Sequence, residues 1–150
     1  MSDCLPCRNN AIEPALLPLR ECVFDDGLWR VAHAFNSALS GWMVVVTRRH
    51  VTSLSELTAA EAAALGPLLR RLSAALEEVL GAAKAYVIFL AEAVTHVHIH
   101  VIPRRVDLPP DRKGPNIFAY LMHPEAEWVS TDEMDRIASE VRRLLEHSRA

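Results

Sequence analysis

The segment HVHIHVI, residues 96–102, alternates histidine with β-branched apolar residues. Because an extended strand directs successive side chains to opposite faces, this spacing predicts three imidazoles on one face and an apolar row toward a core on the other. The three rings would follow one another along about 13 Å of strand. Histidine has no special preference for strands, and few structural requirements ask for three in such a row. The row therefore indicates a functional site.

Two kinds of chemistry suit three aligned imidazoles. Neutral imidazoles coordinate zinc and other transition ions, which would make His96, His98 and His100 the ligands of a catalytic metal. A neutral imidazole is also a nucleophile toward phosphorus, because histidine is mostly unprotonated at pH 7 and leaves readily afterwards. The residues of this segment alone leave both alternatives open.

The pattern on either side of this segment predicts an α+β domain built on an antiparallel sheet. Asp25-Asp26-Gly27 is typical of the tight turn that joins two hairpin strands, and Pro103 is expected to end the last strand. The predicted strands are residues 21–24, 28–33, 42–47, 85–90 and 95–102.

One long helix is predicted between the third and fourth strands. Thr58 and Glu61 have the spacing of a capping box, and leucines recur at helical intervals from there to Gly81. Pro67 lies inside this pattern and predicts a kink or a broken first turn.

The two ends of the chain carry different patterns. Residues 1–19 contain three prolines and are predicted to form an irregular arm, and residues 104–128 are predicted to form a long loop. Ser130 is spaced from Glu133 as in a second capping box, which predicts a C-terminal helix with one apolar face. Residues 1–150 are expected to form a single domain.

Composition narrows the function classes. The chain has 150 residues, a net charge of -3 and no strongly basic segment, so no nucleic-acid partner and no acidic membrane partner is expected. No stretch approaches the ~20 apolar residues needed to span a bilayer, and no leader-like segment begins the chain, so the expected location is cytoplasmic.

The chain has three cysteines, of which Cys4 and Cys7 form a C-x-x-C pair. In a reducing compartment all three would remain thiols. The spacing of the pair alone favours free thiols and metal binding about equally. Cys22 is expected to pack as a small apolar residue.

The histidine row resembles the His-x-His-x-His-x-x signature of the histidine-triad nucleotide hydrolases and transferases. Residues 41–58 are similar to that family's strand, its Pro-Lys-x-His turn and the start of its helix, so the resemblance covers roughly residues 4–105. It implies the HIT-like fold, a sheet of about five strands with one main helix and a C-terminal helix, and a homodimer. The middle histidine is the family's nucleophile, which implies a covalent nucleotidyl-histidine on His98, with His100 near the transferred phosphate.

The resemblance also extends to the zinc-containing branch of the family. That branch is similar to this chain in its N-terminal C-x-x-C, in a histidine after the third strand and in the first histidine of the triad. The implied ligands are Cys4, Cys7, His50 and His96, a closed Cys2His2 set that binds structural zinc. In this arrangement His98 stays free to attack.

The substrate-binding positions that the resemblance implies are Ala34, Ala93 and His100. Family members often carry Asn or Asp for the ribose hydroxyls where Ala34 stands. The Gly-rich segment and Gln that usually precede the triad are replaced by residues 90–95, in which Glu92 would be unfavourable beside phosphate. The family often has Gly-His where this chain has Gly41-Trp42, and Trp42 is expected to be a core or interface residue.

The resemblance thus implies a hydrolase or nucleotidyltransferase that acts on the α-phosphate of dinucleoside polyphosphates or nucleoside phosphoramidates. An adenine nucleotide is the expected partner. The alternative is a non-catalytic, nucleotide-binding regulatory protein that keeps a structural zinc.

Overall fold

An antiparallel sheet of five strands forms the centre of the computed structural model, which describes residues 3–147. The strands are β1 (Phe24–Asp25), β2 (Trp29–His33), β3 (Met43–Thr47), β4 (Ala82–Phe89) and β5 (His98–Arg105). Their order across the sheet is β1-β2-β3-β5-β4, and every neighbouring pair is antiparallel. The predicted α+β class is confirmed, and the last strand in the chain is an inner strand of the sheet.

The helices are α1 (Leu5–Asn10), α2 (Ala59–Leu80) and α3 (Thr131–His147). The predicted capping box begins α2: the Thr58 hydroxyl accepts from the Glu61 N–H at 3.1 Å, and the Glu61 carboxylate accepts from the Thr58 N–H at 2.7 Å. Gly81 ends α2 with φ at 62°. Of the helices formed by residues 3–147, none is long and apolar enough to cross a membrane.

Pro67 lies inside a continuous α2, so of the two predicted effects, a kink or a broken first turn, the broken turn does not occur. A proline inside a helix costs about 3 kcal/mol. Leu68, Leu72 and Leu76 of the same helix are buried to 2% exposure or less, and each contributes about 1.5–3 kcal/mol by its burial. Packing of this apolar face therefore offsets the cost of the proline.

Both long helices pack on one face of the sheet and form the main core with it. The residues of this core include Trp29, Val31, Met43, Val45, Ile99 and Val101 from the sheet, Leu68, Leu72 and Leu76 from α2, and Ile137, Val141 and Leu145 from α3. The odd-numbered residues of β5 thus face the core, as the alternation predicts, and its even-numbered residues face the other side of the sheet.

Two strand boundaries differ from prediction. Leu19–Glu21 forms a 3₁₀ turn, so the first strand begins later than predicted, and β1 is only Phe24–Asp25. The strand predicted to end at Pro103 continues to Arg105. Past Val101 this strand pairs with β4 alone, so the missing proline N–H need not cost a ladder bond.

The predicted irregular arm is wrong in part, since it contains α1 and a 3₁₀ turn at Pro14–Leu16. Residues 104–128 form no α-helix, as expected of a loop, but fold into 3₁₀ turns at Pro110–Arg112, Gly114–Leu121 and Glu125–Glu127.

Only one of the two hydrogen bonds of the second predicted capping box, at the start of α3, is present. The Ser130 hydroxyl accepts from the Glu133 N–H at 3.3 Å. The Glu133 carboxylate pairs with Arg136 instead of returning to the helix start.

Candidate functional site

A pocket of about 430 Å³ lies on the sheet face opposite α2 and α3. Its floor is formed by alternate residues of the three inner strands: Arg30, Ala32, Val44, Val46, His98 and His100. Its walls are formed by three segments that are far apart in the sequence: α1, the loop of residues 90–94 and the 3₁₀ segment of residues 114–121. The predicted substrate-binding residues Ala34 and Ala93 both line this pocket, together with His98 and His100.

Only two of the three histidines of the row, His98 and His100, line this pocket. His98 and His100 lie on β5 with ring centroids 5.0 Å apart and planes at 83°. His96 precedes the strand, is fully buried, and directs its Nδ1 toward Cys4 and Cys7. The sequence alternation predicted one common face, and the structure divides the row because β5 begins only at His98.

The His98 ring is held by its own strand. Its Nδ1 lies 2.8 Å from the backbone carbonyl oxygen of His96, and a carbonyl only accepts, so Nδ1 carries the proton and donates it. In a neutral imidazole the lone pair is then on Nε2. His98 thus offers a nucleophilic nitrogen in the pocket, oriented by a backbone hydrogen bond.

The His100 ring is held from the other side. The Trp42 indole Nε1–H donates to its Nδ1 at 3.0 Å, and the Phe118 ring contacts it edge-on with centroids 5.5 Å apart. Burial, and then the nearby His98, lower the pKa of His100 to about 4. His100 is therefore neutral at pH 7 and keeps its remaining proton on Nε2.

Four predicted ligands come together beside the pocket. The donor atoms of Cys4, Cys7, His50 and His96 lie within 4.8 Å of one another, and no other group of three or more candidate ligands occurs among residues 3–147. His96 Nδ1 is 3.4 Å from Cys4 Sγ and 3.5 Å from Cys7 Sγ, and His50 Nδ1 is 3.1 Å from Cys7 Sγ. A tetrahedral zinc with bonds of about 2.0–2.3 Å needs edges of about 3.3–3.8 Å. Two of the three distances fall in that range and the third is slightly shorter, while the 4.8 Å limit of the whole set is somewhat wider.

His96 is oriented as a metal ligand would be. Its Nε2 lies 2.8 Å from the Thr47 carbonyl oxygen, to which it donates, so the Nδ1 lone pair faces the two sulfurs. Burial lowers the pKa of His96, which favours the neutral ring that a metal ligand requires. The donor set, two thiols and two imidazole Nδ1 atoms, is the type that binds structural zinc.

Charge in the pocket is mixed. Of the described lining residues only Arg30 carries a permanent positive charge, while Glu21 and Glu92 are acidic. Arg30 is 2% exposed, and it donates to the Asn10 side chain at 2.8 Å and to the Glu21 backbone carbonyl. Burial lowers the pKa of Arg30. The only described lining cation is thus largely engaged with the protein itself.

Two residues of the site escaped sequence reasoning. Trp42 was expected in the core, and it is buried there, but its N–H contacts His100; its place in the Gly-Trp pair was the available signal. Asn10 holds α1 against the sheet by donating to the carbonyls of Thr47 and Arg48 at 2.9 and 3.1 Å. Nothing in the sequence pattern marks Asn10.

Comparison with protein families gives one match. The model of the HIT domain matches residues 20–107, which include His50, His96, His98 and His100. No curated protein matches the chain.

Solved structures from several organisms have the same fold. A Zn-bound histidine triad family protein of Mycobacterium smegmatis is 18% identical, covers 98% of this chain and 98% of its own, and has a TM-score of 0.69. A histidine triad protein of Bradyrhizobium japonicum is 25% identical over 81% of this chain and 87% of its own, with a TM-score of 0.67. Diadenosine triphosphate hydrolase of Plasmodium falciparum is 15% identical over 87% and 80%, with a TM-score of 0.65.

Proposed function

This chain belongs to the HIT domain family, and from that membership we propose that it is a nucleotide hydrolase or nucleotidyltransferase. It acts on the α-phosphate of dinucleoside polyphosphates or nucleoside phosphoramidates. The observation that carries the proposal is the His98 ring, whose Nδ1 is bound to the His96 carbonyl and whose Nε2 is left for the pocket.

The first step forms a bond from His98 Nε2 to the α-phosphorus. The bond from phosphorus to the bridging oxygen or nitrogen breaks, and the leaving phosphate or amine takes its electron pair and a proton from solvent. His100, neutral and protonated on Nε2, donates a hydrogen bond to a phosphoryl oxygen as charge gathers there. The product of this step is a nucleotidyl-His98.

The second step reverses the bond change. A water or another acceptor attacks the same phosphorus and gives up a proton to solvent, the bond to Nε2 breaks, and the electron pair returns to His98. With water the products are a nucleoside monophosphate and a regenerated imidazole. The two half-reactions share one site and predict ping-pong kinetics.

The nucleoside is proposed to lie against Ala34 and Ala93, with adenine as the base. The apolar lining of the pocket supports a flat aromatic base, and one protein of the same fold is named as a diadenosine triphosphate hydrolase. Ala34 offers no side-chain hydrogen bond to ribose, so binding is expected to depend on the base and on the phosphate.

A structural zinc is proposed at Cys4, Cys7, His50 and His96. The clustering of the four donors within 4.8 Å and the hydrogen bond from His96 to Thr47 support it, and a protein of the same fold is described as Zn-bound. When bound, zinc would tie the α1 arm to the sheet, and its binding energy would count toward folding.

The setting proposed for the chain follows from the same residues. Cys4 and Cys7 must stay reduced to act as ligands, which a cytoplasmic location provides. We propose that residues 1–150 act as one domain in a homodimer, with a nucleotide as partner and neither nucleic acid nor membrane.

The test of the reaction is intact-protein mass after brief mixing with diadenosine tetraphosphate or adenosine phosphoramidate and a denaturing quench. An adenylyl adduct is expected on the wild type and not on His98→Ala. His123→Ala, which removes a histidine outside the pocket lining, is the matched control and should retain the adduct.

One outcome favours the alternative function. Glu92 lines the pocket, and Ala34 stands where a ribose ligand is often found. Both features are unfavourable for efficient turnover of a nucleotide, and a regulatory protein that only binds its nucleotide would tolerate them. Nucleotide binding by calorimetry with no adduct and no turnover would support that binding protein and contradict the enzyme.

Zinc is tested by metal content. Wild type and Cys22→Ser, which changes the cysteine outside the cluster, should carry one zinc per chain, and Cys4→Ser with Cys7→Ser should carry none. Full retention in the double variant would overturn the Cys2His2 site and favour the alternative metal site formed by His96, His98 and His100.

A further inference from the structure

The indole of Trp42 and the imidazole of His100 form a buried pair next to the proposed nucleophile. Trp42 is 0% exposed and lies just before β3. Its Nε1 is 3.0 Å from His100 Nδ1, and the two rings meet edge-on at 89° with centroids 5.7 Å apart. An indole N–H donates and never accepts, so His100 Nδ1 must be the acceptor.

This contact decides which nitrogen of His100 carries the proton. A neutral imidazole has one N–H and one lone pair. Because the Nδ1 lone pair is used by Trp42, the proton is on Nε2, the nitrogen that is left for the pocket that His100 lines. A group that could itself titrate at this place would not fix the tautomer over a range of pH, whereas an indole does.

The groups around His100 favour the neutral ring. His98 faces it from the same strand, Trp42 from the start of β3 and Phe118 from the 3₁₀ segment of residues 114–121. No carboxylate is among these neighbours to stabilise an imidazolium. Burial and His98 lower its pKa, which agrees with a ring that has no counter-ion.

We infer that Trp42 is a positioning residue: it holds His100 as the Nε2–H tautomer so that this ring is a neutral hydrogen-bond donor to the phosphoryl oxygens of substrate at His98. The inference rests on the proposed function for its role in the reaction, but the tautomer itself does not. The Gly41-Trp42 pair therefore supplies a hydrogen-bond donor at the position where the histidine-triad family often has a histidine.

The direct test is ¹⁵N-edited NMR of the histidine rings without substrate. His100 is expected to show a protonated Nε2 and an unprotonated Nδ1 in the wild type at pH 7. Trp42→Phe keeps an aromatic ring and removes the N–H. In this variant a second form of the His100 ring, with the proton on Nδ1, should appear. The midpoint of the His100 titration should rise by about one pH unit, since the bond to the neutral form is lost. His100→Ala assigns the signals.

The functional test is the rate of adduct formation on His98. Trp42→Phe is expected to slow it about 5–20-fold at saturating substrate, with the Michaelis constant changed less than about threefold, because the lost interaction acts on the transition state. Trp128→Phe, which removes an indole donor to the His123 carbonyl outside the pocket lining, is the matched control and should not slow it.

The outcomes separate the inference from the proposed function. Absence of any adduct on the wild type would overturn the reaction and leave the tautomer result standing. Proton on His100 Nδ1 in the wild type would overturn the inference whatever the activity, and it requires no variant to fold. An unchanged tautomer and unchanged rate in folded Trp42→Phe would reduce Trp42 to a packing residue.

Discussion

The Nδ1 atom of His98 donates to the backbone carbonyl of His96 at 2.8 Å, so the orientation of the proposed nucleophile depends on the residue proposed to bind zinc. His96 is fixed in turn by its Nε2 contact to the Thr47 carbonyl and by two cysteine sulfurs. The position of the carbonyl that orients His98 therefore depends on an intact Cys2His2 cluster. The proposed zinc site and the proposed nucleophile are linked through the backbone of His96.

This relationship predicts that loss of the cluster slows chemistry at a distance. Cys7→Ser is expected to lower the rate of adduct formation on His98 about 10–100-fold, the range seen when support of a site residue is removed. Quenched-flow mass measurement gives the rate. Cys22→Ser changes the buried cysteine outside the cluster and should leave the rate unchanged; equal rates in Cys7→Ser and wild type would disprove the dependence.

Much of the fold follows from local signals in the sequence. The capping box at Thr58 and the hairpin turn at Asp26-Gly27 form as predicted because each is satisfied by residues a few positions away. The alternation in β5 correctly places Ile99 in the core. Local periodicity and turn chemistry do not depend on distant contacts, so one sequence is enough to predict them.

The parts that could not be predicted depend on contacts between distant segments. α1 is held by hydrogen bonds from Asn10 to the end of β3, some 37 residues away, and no local pattern marks such an asparagine. The continuation of β5 past Pro103 depends on having a neighbour on one side only. The contact from Trp42 to His100 spans 58 residues, and a buried tryptophan looks like core until its N–H partner is known.

The acidic residue in the pocket wall gives a prediction about substrate affinity. Glu92 is exposed and lines the pocket in which the phosphate is proposed to bind. Removing its charge in Glu92→Gln is expected to lower the Michaelis constant for diadenosine tetraphosphate about 2–5-fold, because exposed charge pairs interact by at most about 1 kcal/mol.

Salt provides a second measurement of the same effect. The gain from Glu92→Gln should shrink as ionic strength rises, since screening weakens the repulsion it removes. Glu77→Gln, an exposed change on α2 across the sheet, is the control and should leave the constant as it is. A higher constant in Glu92→Gln would mean that Glu92 assists binding.

Gly41 gives a prediction about stability. Its φ is +82°, and a Cβ built on it would clash with Leu80 Cδ1 and lie 3.3 Å from Pro103 Cγ. Gly41→Ala is expected to cost about 2–4 kcal/mol in the free energy of unfolding, from left-handed backbone and overpacking together. Urea denaturation measures it. Gly66→Ala, where nothing lies within 4 Å of the added Cβ, should be neutral or stabilising in the same assay.

Acid lability is predicted from Glu61, whose carboxylate accepts from Arg49 Nε and Nη2 at 3.1 and 2.8 Å and from the Thr58 N–H. The Arg49 guanidinium and the Thr58 N–H lower the pKa of Glu61 from its usual 4.5 to about 2. In the unfolded chain the carboxyl takes up a proton at higher pH than in the folded chain. Its contribution to stability is thus fully present above about pH 5 and is lost as pH falls toward 2.

The size of this contribution is limited by solvent, because the Arg49 side chain is 47% exposed. We expect about 1–2 kcal/mol rather than the full value of the shift. Glu61→Gln should therefore be less stable than wild type by that amount at pH 6, and the two free energies of unfolding should converge between pH 4 and pH 2. Glu78→Gln, on the exposed side of the same helix, controls for the loss of one carboxylate. A difference between Glu61→Gln and wild type that stays constant down to pH 2 would assign the loss to packing at the start of α2 and not to the ionised carboxylate.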